Sequence, residues 1–224
     1  MKIFFVRHGD PDYDTDTLTE LGKLQAEAAA KRLENCGIQR IFASSMGRAV
    51  ATATPLAQRL SLEIETRDFI REIQCDALNK DEPILENGHP WNVANALVSM
   101  GESLTKWDWR EHEPFSKSMA VNSVNKLEAG LDKWLEELGY RREGENYRVI
   151  GDDTKKTIAM FSHAGASTAA IAHMVSVPFP LACAIFAVNF TSITSIELED
   201  TKGKLVKPMI TLLNDHKHIK GIKI

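Results

Sequence analysis

The chain opens on an apolar run, Ile3-Phe4-Phe5-Val6, that breaks abruptly at Arg7-His8-Gly9. A short apolar run bounded by polar residues predicts a buried strand over residues 2–6. A helix follows, because Leu21, Leu24, Ala28 and Leu33 recur at helical spacing among many alanines. Either Thr17, at capping-box distance from Glu20, or Thr19 begins it, and Gly37 supplies a stop. Ile38 to Ala43 predicts a second strand, ending in Ser44-Ser45. Residues 47–60 carry a helical pattern in which Pro55 either kinks the helix or marks its start. Leu62 to Thr66 alternates apolar with polar and predicts a third strand.

This β-α-β-α-β order predicts an α/β fold, a doubly wound and mostly parallel sheet flanked by helices. The pattern breaks after about residue 75. Residues 76–117 hold Pro83, Gly88, Pro90, Gly101, Pro114 and three of the four tryptophans, Trp91, Trp107 and Trp109. They predict an insertion that caps one end of the sheet. Val121, Val124, Leu127, Leu131, Leu135 and Leu138 then predict a long amphipathic helix stopped by Gly139. Thr157 to Phe161 reads as another strand, followed by Ser162-His163-Ala164-Gly165 and a helix of small residues from Ala166 to Met174. From about 184 to 213 the alternation predicts edge strands.

At 224 residues the chain predicts one domain over 1–224 with that insertion, large enough to bury a core without disulfides. Hydrophobic residues at 43% and charged residues at 26% are ordinary globular usage and exclude a disordered chain. The net charge of −4 excludes nucleic-acid binding by bulk positive charge, so an anion would need a local cluster of bases. Lys202, Lys204, Lys207, Lys217, Lys220 and Lys223 stand against one acid, Asp215, in the last stretch, which reads as a basic, solvated terminus. Cys36, Cys75 and Cys183 contain no C-x-x-C, so neither a redox dithiol nor a zinc site is expected. The first apolar run is too short for a signal peptide, and no run approaches a membrane span. The expectation is a cytoplasmic protein without nucleic-acid or membrane partners.

The chemistry gathers at strand ends. In open α/β sheets ligands bind beyond the carboxyl ends of the strands. Three predicted strands deliver Arg7 and His8, Arg48 (just after Ser44-Ser45) and His163 to that rim, and Gly9 lets the chain turn there. Two arginines and two histidines suit a phosphoryl group. Guanidinium forks pair with phosphate oxygens, and a neutral imidazole can attack phosphorus. In the insertion, Trp91, Trp107, Trp109 and Phe115 either pack on an organic leaving group or form a small core of their own. His89 and His112 read as solvated or capping residues, His173 as structural, and His216-Lys217-His218 as tail rather than metal ligands.

These residues fall in an order that resembles the histidine phosphatase superfamily, the phosphoglycerate mutase-like branch. The matching stretches are Phe5-Val6-Arg7-His8-Gly9; Leu18-Thr19-Glu20-Leu21-Gly22 with Gln25-Ala26; Ser44-Ser45 with Arg48-Ala49 and Thr52-Ala53; Arg71-Glu72-Ile73; and Ser162-His163. They run from residue 3 to about 174. The resemblance implies that His8 is the nucleophile that becomes a phosphohistidine. It implies that Arg7, Arg48 and His163 hold the phosphoryl oxygens, and that Glu72 is the acid that protonates the leaving oxygen. It implies neither metal nor cofactor.

The departures refine this. The mutase branch carries a longer loop after R-H-G, with Asn and Gly-Arg elements. Here Asp10 to Asp16 is short and holds four aspartates, which disfavour a second phosphate. Ala164 stands where the second-histidine motif often has Gly, and Ala51 where Gln is frequent. The expected function is a metal-independent phosphomonoesterase acting on a small phosphorylated metabolite. Mutase-type phosphoryl transfer is one alternative, and a weakly catalytic phospho-ligand docking protein is another. The presence of all five site residues favours the enzyme.

Overall fold

The computed structural model describes residues 1–152 and 154–222, so Lys223 of the basic stretch lies outside the described residues. The strands are β1 (Lys2–Arg7), β2 (Pro11–Asp12), β3 (Thr17–Leu18), β4 (Arg40–Ser44), β5 (Ile64–Arg67), β6 (Tyr140–Glu143), β7 (Asn146–Val149), β8 (Thr157–Ser162), β9 (Ile193–Glu197), β10 (Leu205–Val206) and β11 (Met209–Asp215). The α-helices are α1 (Glu20–Leu33), α2 (Gly47–Leu60), α3 (Pro90–Ser99), α4 (Ala120–Glu137), α5 (Ala164–Val175) and α6 (Phe179–Ile185).

The main sheet runs β11-β9-β1-β8-β4-β5. β1, β8, β4 and β5 are parallel; β9 pairs antiparallel with β1, and β11 pairs antiparallel with β9. The mostly parallel α/β architecture is therefore as expected, with the antiparallel strands at one edge. Successive side chains of a strand face opposite sides of its sheet. Accordingly Phe4, Val6, Ala159 and Phe161 join the core that contains Ala30 of α1 and Ala53 and Leu56 of α2. Ile3, Phe5, Ile158 and Met160 join the larger core that contains α4 and α5. Both faces of the parallel strands are covered, which is why β1 and β8 are apolar without alternation. α5 can be almost wholly buried because its residues are small, from Ala166 through Ala172.

Local details depart from the periodicity. Thr19, not Thr17, caps α1 by accepting from the Gly22 backbone N–H at 3.1 Å, while Thr17 pairs in β3 with Asp12. Leu24 is 49% exposed, and the buried face of α1 is Gly22, Gln25, Ala26, Ala29, Ala30 and Leu33. The helix lies on its small residues because it packs closely against α2. It ends at Leu33, short of the left-handed Gly37. α2 starts at Gly47 and continues through Pro55, so the proline does not mark its start. Leu62 is not in β5; its N–H bonds the Ala57 carbonyl as the chain leaves the helix. Phe179–Ile185 is helical, so edge strands begin later than residue 184. A second antiparallel sheet, β10-β7-β6, was not anticipated. The basic stretch is likewise not simply solvated, because β10 and β11 lie within it, while Lys202, Lys204 and Lys207 pair with Asp152, Glu199 and Glu145.

Residues 68–119, between β5 and α4, carry three short 3-10 turns and α3. Trp109 and Phe115 are buried there, edge-to-face at 5.6 Å between centroids, and Trp109 also meets Phe179 of α6. Among the described residues no single helix is long and apolar enough to cross a membrane.

Candidate active site

β1, β8 and the start of α2 present their polar residues at one end of the parallel strands. Register pairs Arg7 with Ser162, so His8 and His163 leave adjacent strand ends together. Their rings lie edge to face with centroids 5.2 Å apart. Gly9 is required here by close approach, since a Cβ on it would lie 2.6 Å from the Gly22 carbonyl oxygen. Its N–H donates to Thr52 Oγ1 at 3.0 Å, which ties the turn to α2.

His8 is 2% exposed, and its Nδ1 lies 2.7 Å from the Gly9 carbonyl oxygen. A carbonyl only accepts, so Nδ1 carries the proton and Nε2 keeps its lone pair. Burial first, and then the nearby Arg7 and Arg48 charges, push the imidazole pKa down to about 4. His163 is fully buried, and its Nε2 lies 2.8 Å from Ser44 Oγ. That hydroxyl also accepts from the Met46 N–H at 3.3 Å; in the tautomer where its own proton goes to His163 Nε2, His163 Nδ1 is a donor. Burial, then His8 and the surrounding arginines, keep His163 neutral.

Arg7 donates to the Val188 carbonyl at 2.6 Å and stacks over Phe190 at 4.0 Å. Arg48 is 6% exposed and is held by Asp16 at 2.5 Å; Asp16 also accepts from the Gly47 N–H at 2.7 Å. Three buried nitrogens in this group have no hydrogen-bond acceptor: Arg7 Nε, Arg48 Nε and His163 Nδ1.

Glu72 arrives from the other side. A 3-10 turn after β5, Asp68–Ile70, returns the chain to the start of α5. There the Glu72 carboxyl accepts from the N–H groups of Ala166 at 2.9 Å, Ile73 at 3.0 Å and Gly165 at 3.3 Å. Burial pushes its pKa up, against those hydrogen bonds and the charge of Arg7. Gly165 makes room for it, because a Cβ there would lie 2.7 Å from Glu72 Oε1.

Arg7, His8, Arg48 and Glu72 line one cavity of about 320 Å³, with His163 packed behind His8. The five residues singled out in the sequence are thus brought together. Of the four insertion aromatics only Trp91 reaches this cavity, and His89 lines it too. Trp109 and Phe115 are core, and Trp107 stacks on His112 at 3.9 Å away from it. His173 is bound to Asp132 at 3.0 Å, as a structural residue would be, and His218 meets Thr191 at 3.1 Å. Among the described residues no group of three or more His, Cys, Asp or Glu side chains is placed to hold a metal.

Sequence reasoning missed Asp16, Ser44, Tyr13, Cys75 and Phe190 as parts of the site. Asp16 had a signal, as one of four acids in a short loop beside R-H-G, but only the fold could single it out as the partner of Arg48. Phe190 had none, since it comes from a segment distant in sequence.

The chain belongs to the histidine phosphatase superfamily (branch 1), whose family model matches residues 3–211. A curated relative, the probable phosphoglycerate mutase GpmB of Yersinia pestis, is 28% identical over 147 residues, 58% of this chain and 66% of the relative, just under two thirds of its length. Among solved structures, mycobacterial glucosyl-3-phosphoglycerate phosphatase with inorganic phosphate is similar at a TM-score of 0.65, with 20% identity and 97% and 98% of the two chains covered. Phosphoserine phosphatase from Entamoeba histolytica in complex with 3-phosphoglyceric acid gives 0.62, with 18% identity over 97% and 98%. At these identities the likeness is one of fold.

Proposed function

We propose that this chain is a metal-independent phosphomonoesterase that passes the phosphoryl group of a small ester through His8. The observation that carries this reading is the set of three buried nitrogens without partners, Arg7 Nε, Arg48 Nε and His163 Nδ1, around a neutral imidazole. Buried donors normally have partners, and phosphoryl oxygens would satisfy all three.

The steps balance without further groups. His8 Nε2 attacks phosphorus, the bond from phosphorus to the ester oxygen breaks, and the Glu72 proton goes to that oxygen. Water then attacks the phosphohistidine and returns a proton to Glu72. The phosphorus–nitrogen bond breaks, and inorganic phosphate leaves. Arg7, Arg48 and His163 stabilise the charge on the transferring group in both displacements. Residues 76–117 act as a cap on a single domain, 1–224, and contribute Trp91 to the cavity wall. Three free cysteines suit a reducing cytoplasm.

Mutase-type transfer is favoured by the description of the curated relative. Against it stands the short loop from Asp10 to Asp16, whose four aspartates disfavour a second phosphate on the substrate. Phosphate release from p-nitrophenyl phosphate in excess EDTA, beside isomerisation of 3-phosphoglycerate, decides between them. Undiminished hydrolysis in EDTA with negligible isomerisation is expected. A loss in EDTA restored by Mg²⁺ or Zn²⁺, or isomerisation faster than hydrolysis, would overturn the reading.

A further inference from the structure

The two ends of the reaction cavity differ in chemistry. One end is cationic, where Arg7 and Arg48 adjoin His8. The rest of the wall is built from Ile73, Cys75, His89, Pro90 and Trp91, with Tyr13 beside Arg48. Trp91 stands in the first turn of α3, is backed by the core, and is tilted against His89 with centroids 5.7 Å apart. Tyr13 stands exposed at the rim, within 5.5 Å of the Arg48 guanidinium. Burial pushes the Cys75 thiol up to about 11, so it brings no charge.

Among the described lining residues no Lys or Arg serves this second end. A carboxylate or second phosphate there would lose water without gaining a counter-charge, which is costly. Arg71 and Lys126 line a separate cavity that shares only Glu72 and Ile73 with this one.

We propose that the substrate is the phosphate monoester of a flat, uncharged ring alcohol, whose ring lies against Trp91 and Tyr13 while its phosphate meets Arg7 and Arg48. The proposal rests on the reading of His8 as the phosphoryl acceptor. Aromatic faces at the leaving-group end contribute binding through ring contact, which a charged three-carbon chain cannot use.

Four esters with alkyl leaving oxygens test this: benzyl phosphate, ethyl phosphate, 3-phosphoglycerate and O-phosphoserine. kcat/KM for benzyl phosphate is expected to exceed that for each charged ester by about tenfold or more. Trp91→Ala should raise KM for benzyl phosphate several-fold more than KM for ethyl phosphate. Trp91→Phe, which keeps a ring and the core contact, should restore most of the loss. His89→Lys, a cation at an exposed position of the wall, should narrow the gap between benzyl phosphate and 3-phosphoglycerate. Higher kcat/KM on the charged esters would overturn the proposal, as would a Trp91→Ala loss equal for ethyl and benzyl phosphate. A drop in 3-phosphoglycerate turnover in Lys126→Ala would show that charged ligands use the neighbouring cavity and would also overturn it. Turnover of ethyl phosphate and the charged esters without benzyl phosphate defeats this proposal alone, whereas no turnover of any ester defeats the His8 reading with it.

Discussion

His8 can attack phosphorus only while its Nε2 is unprotonated, and Glu72 can donate only while it holds a proton. Burial moves both in the useful direction, the imidazole down to about 4 and the carboxyl upward. The rate should therefore rise with pH through about 4 and fall as Glu72 ionises, giving an optimum on the acid side. In Glu72→Gln the alkaline limb should disappear. Turnover of an alkyl phosphate should fall by about a hundredfold while that of p-nitrophenyl phosphate falls much less. Equal losses on both would remove Glu72 from the acid role. At this scale the sequence was informative, because a strand that ends in a polar residue leaves little doubt about which rim receives it. What it could not show is the support behind each group. Ser44 holds the His163 ring and Asp16 anchors Arg48, through contacts spanning 119 and 32 residues of sequence.

α5 does more than carry His163 at its start. Its first N–H groups hold the Glu72 carboxyl, and Gly165 keeps the distance short enough for that. In Gly165→Ala the new Cβ would press on Ile73 and on Glu72 Oε1, 2.6 and 2.7 Å away. The expected outcome is a stability loss of about 1–3 kcal/mol in urea unfolding, as for other overpacked sites. Alkyl phosphate turnover should fall as in Glu72→Gln. Unchanged turnover would mean that the α5 terminus does not set the position of Glu72. Elements with strong periods, β1, β4, α4 and β8, were legible within a residue or two. The face of α1 was not, since close packing on α2 buries its alanines and leaves Leu24 in solvent. The β6–β7 hairpin was hidden because Tyr140 and Tyr147, fully buried, sit among arginines and glutamates that read as surface.

For the whole molecule, the buried neutral histidines link stability to pH. Unfolded, His8 takes a proton near its ordinary 6.5; folded, only near about 4. Between these values the unfolded chain binds more protons, so the contribution of His8 is fully present above 6.5 and is lost as pH falls toward 4. His163 acts in the same sense, and His173, whose acidic partners raise it, acts in the opposite one. Comparison with His8→Gln isolates the first. Between pH 6 and 4.5 the unfolding free energy of the wild type should fall more steeply, by up to about 1.4 kcal/mol per pH unit. Parallel curves would show that His8 is not held neutral by the fold. The sheet, the two cores and the site rim were foreseeable from strand and helix order. The path of residues 68–119 was not, because its packing depends on α6 and not on any local period. The account as a whole turns on one bond, between phosphorus and a His8 nitrogen. Rapid quench of the wild type with ³²P-labelled substrate, followed by peptide mapping, tests it most directly. The account predicts an acid-labile, base-stable label on the peptide containing His8, and neither label nor turnover in folded His8→Ala. Label on the His163 peptide, or turnover at the wild-type rate in His8→Ala, would contradict it.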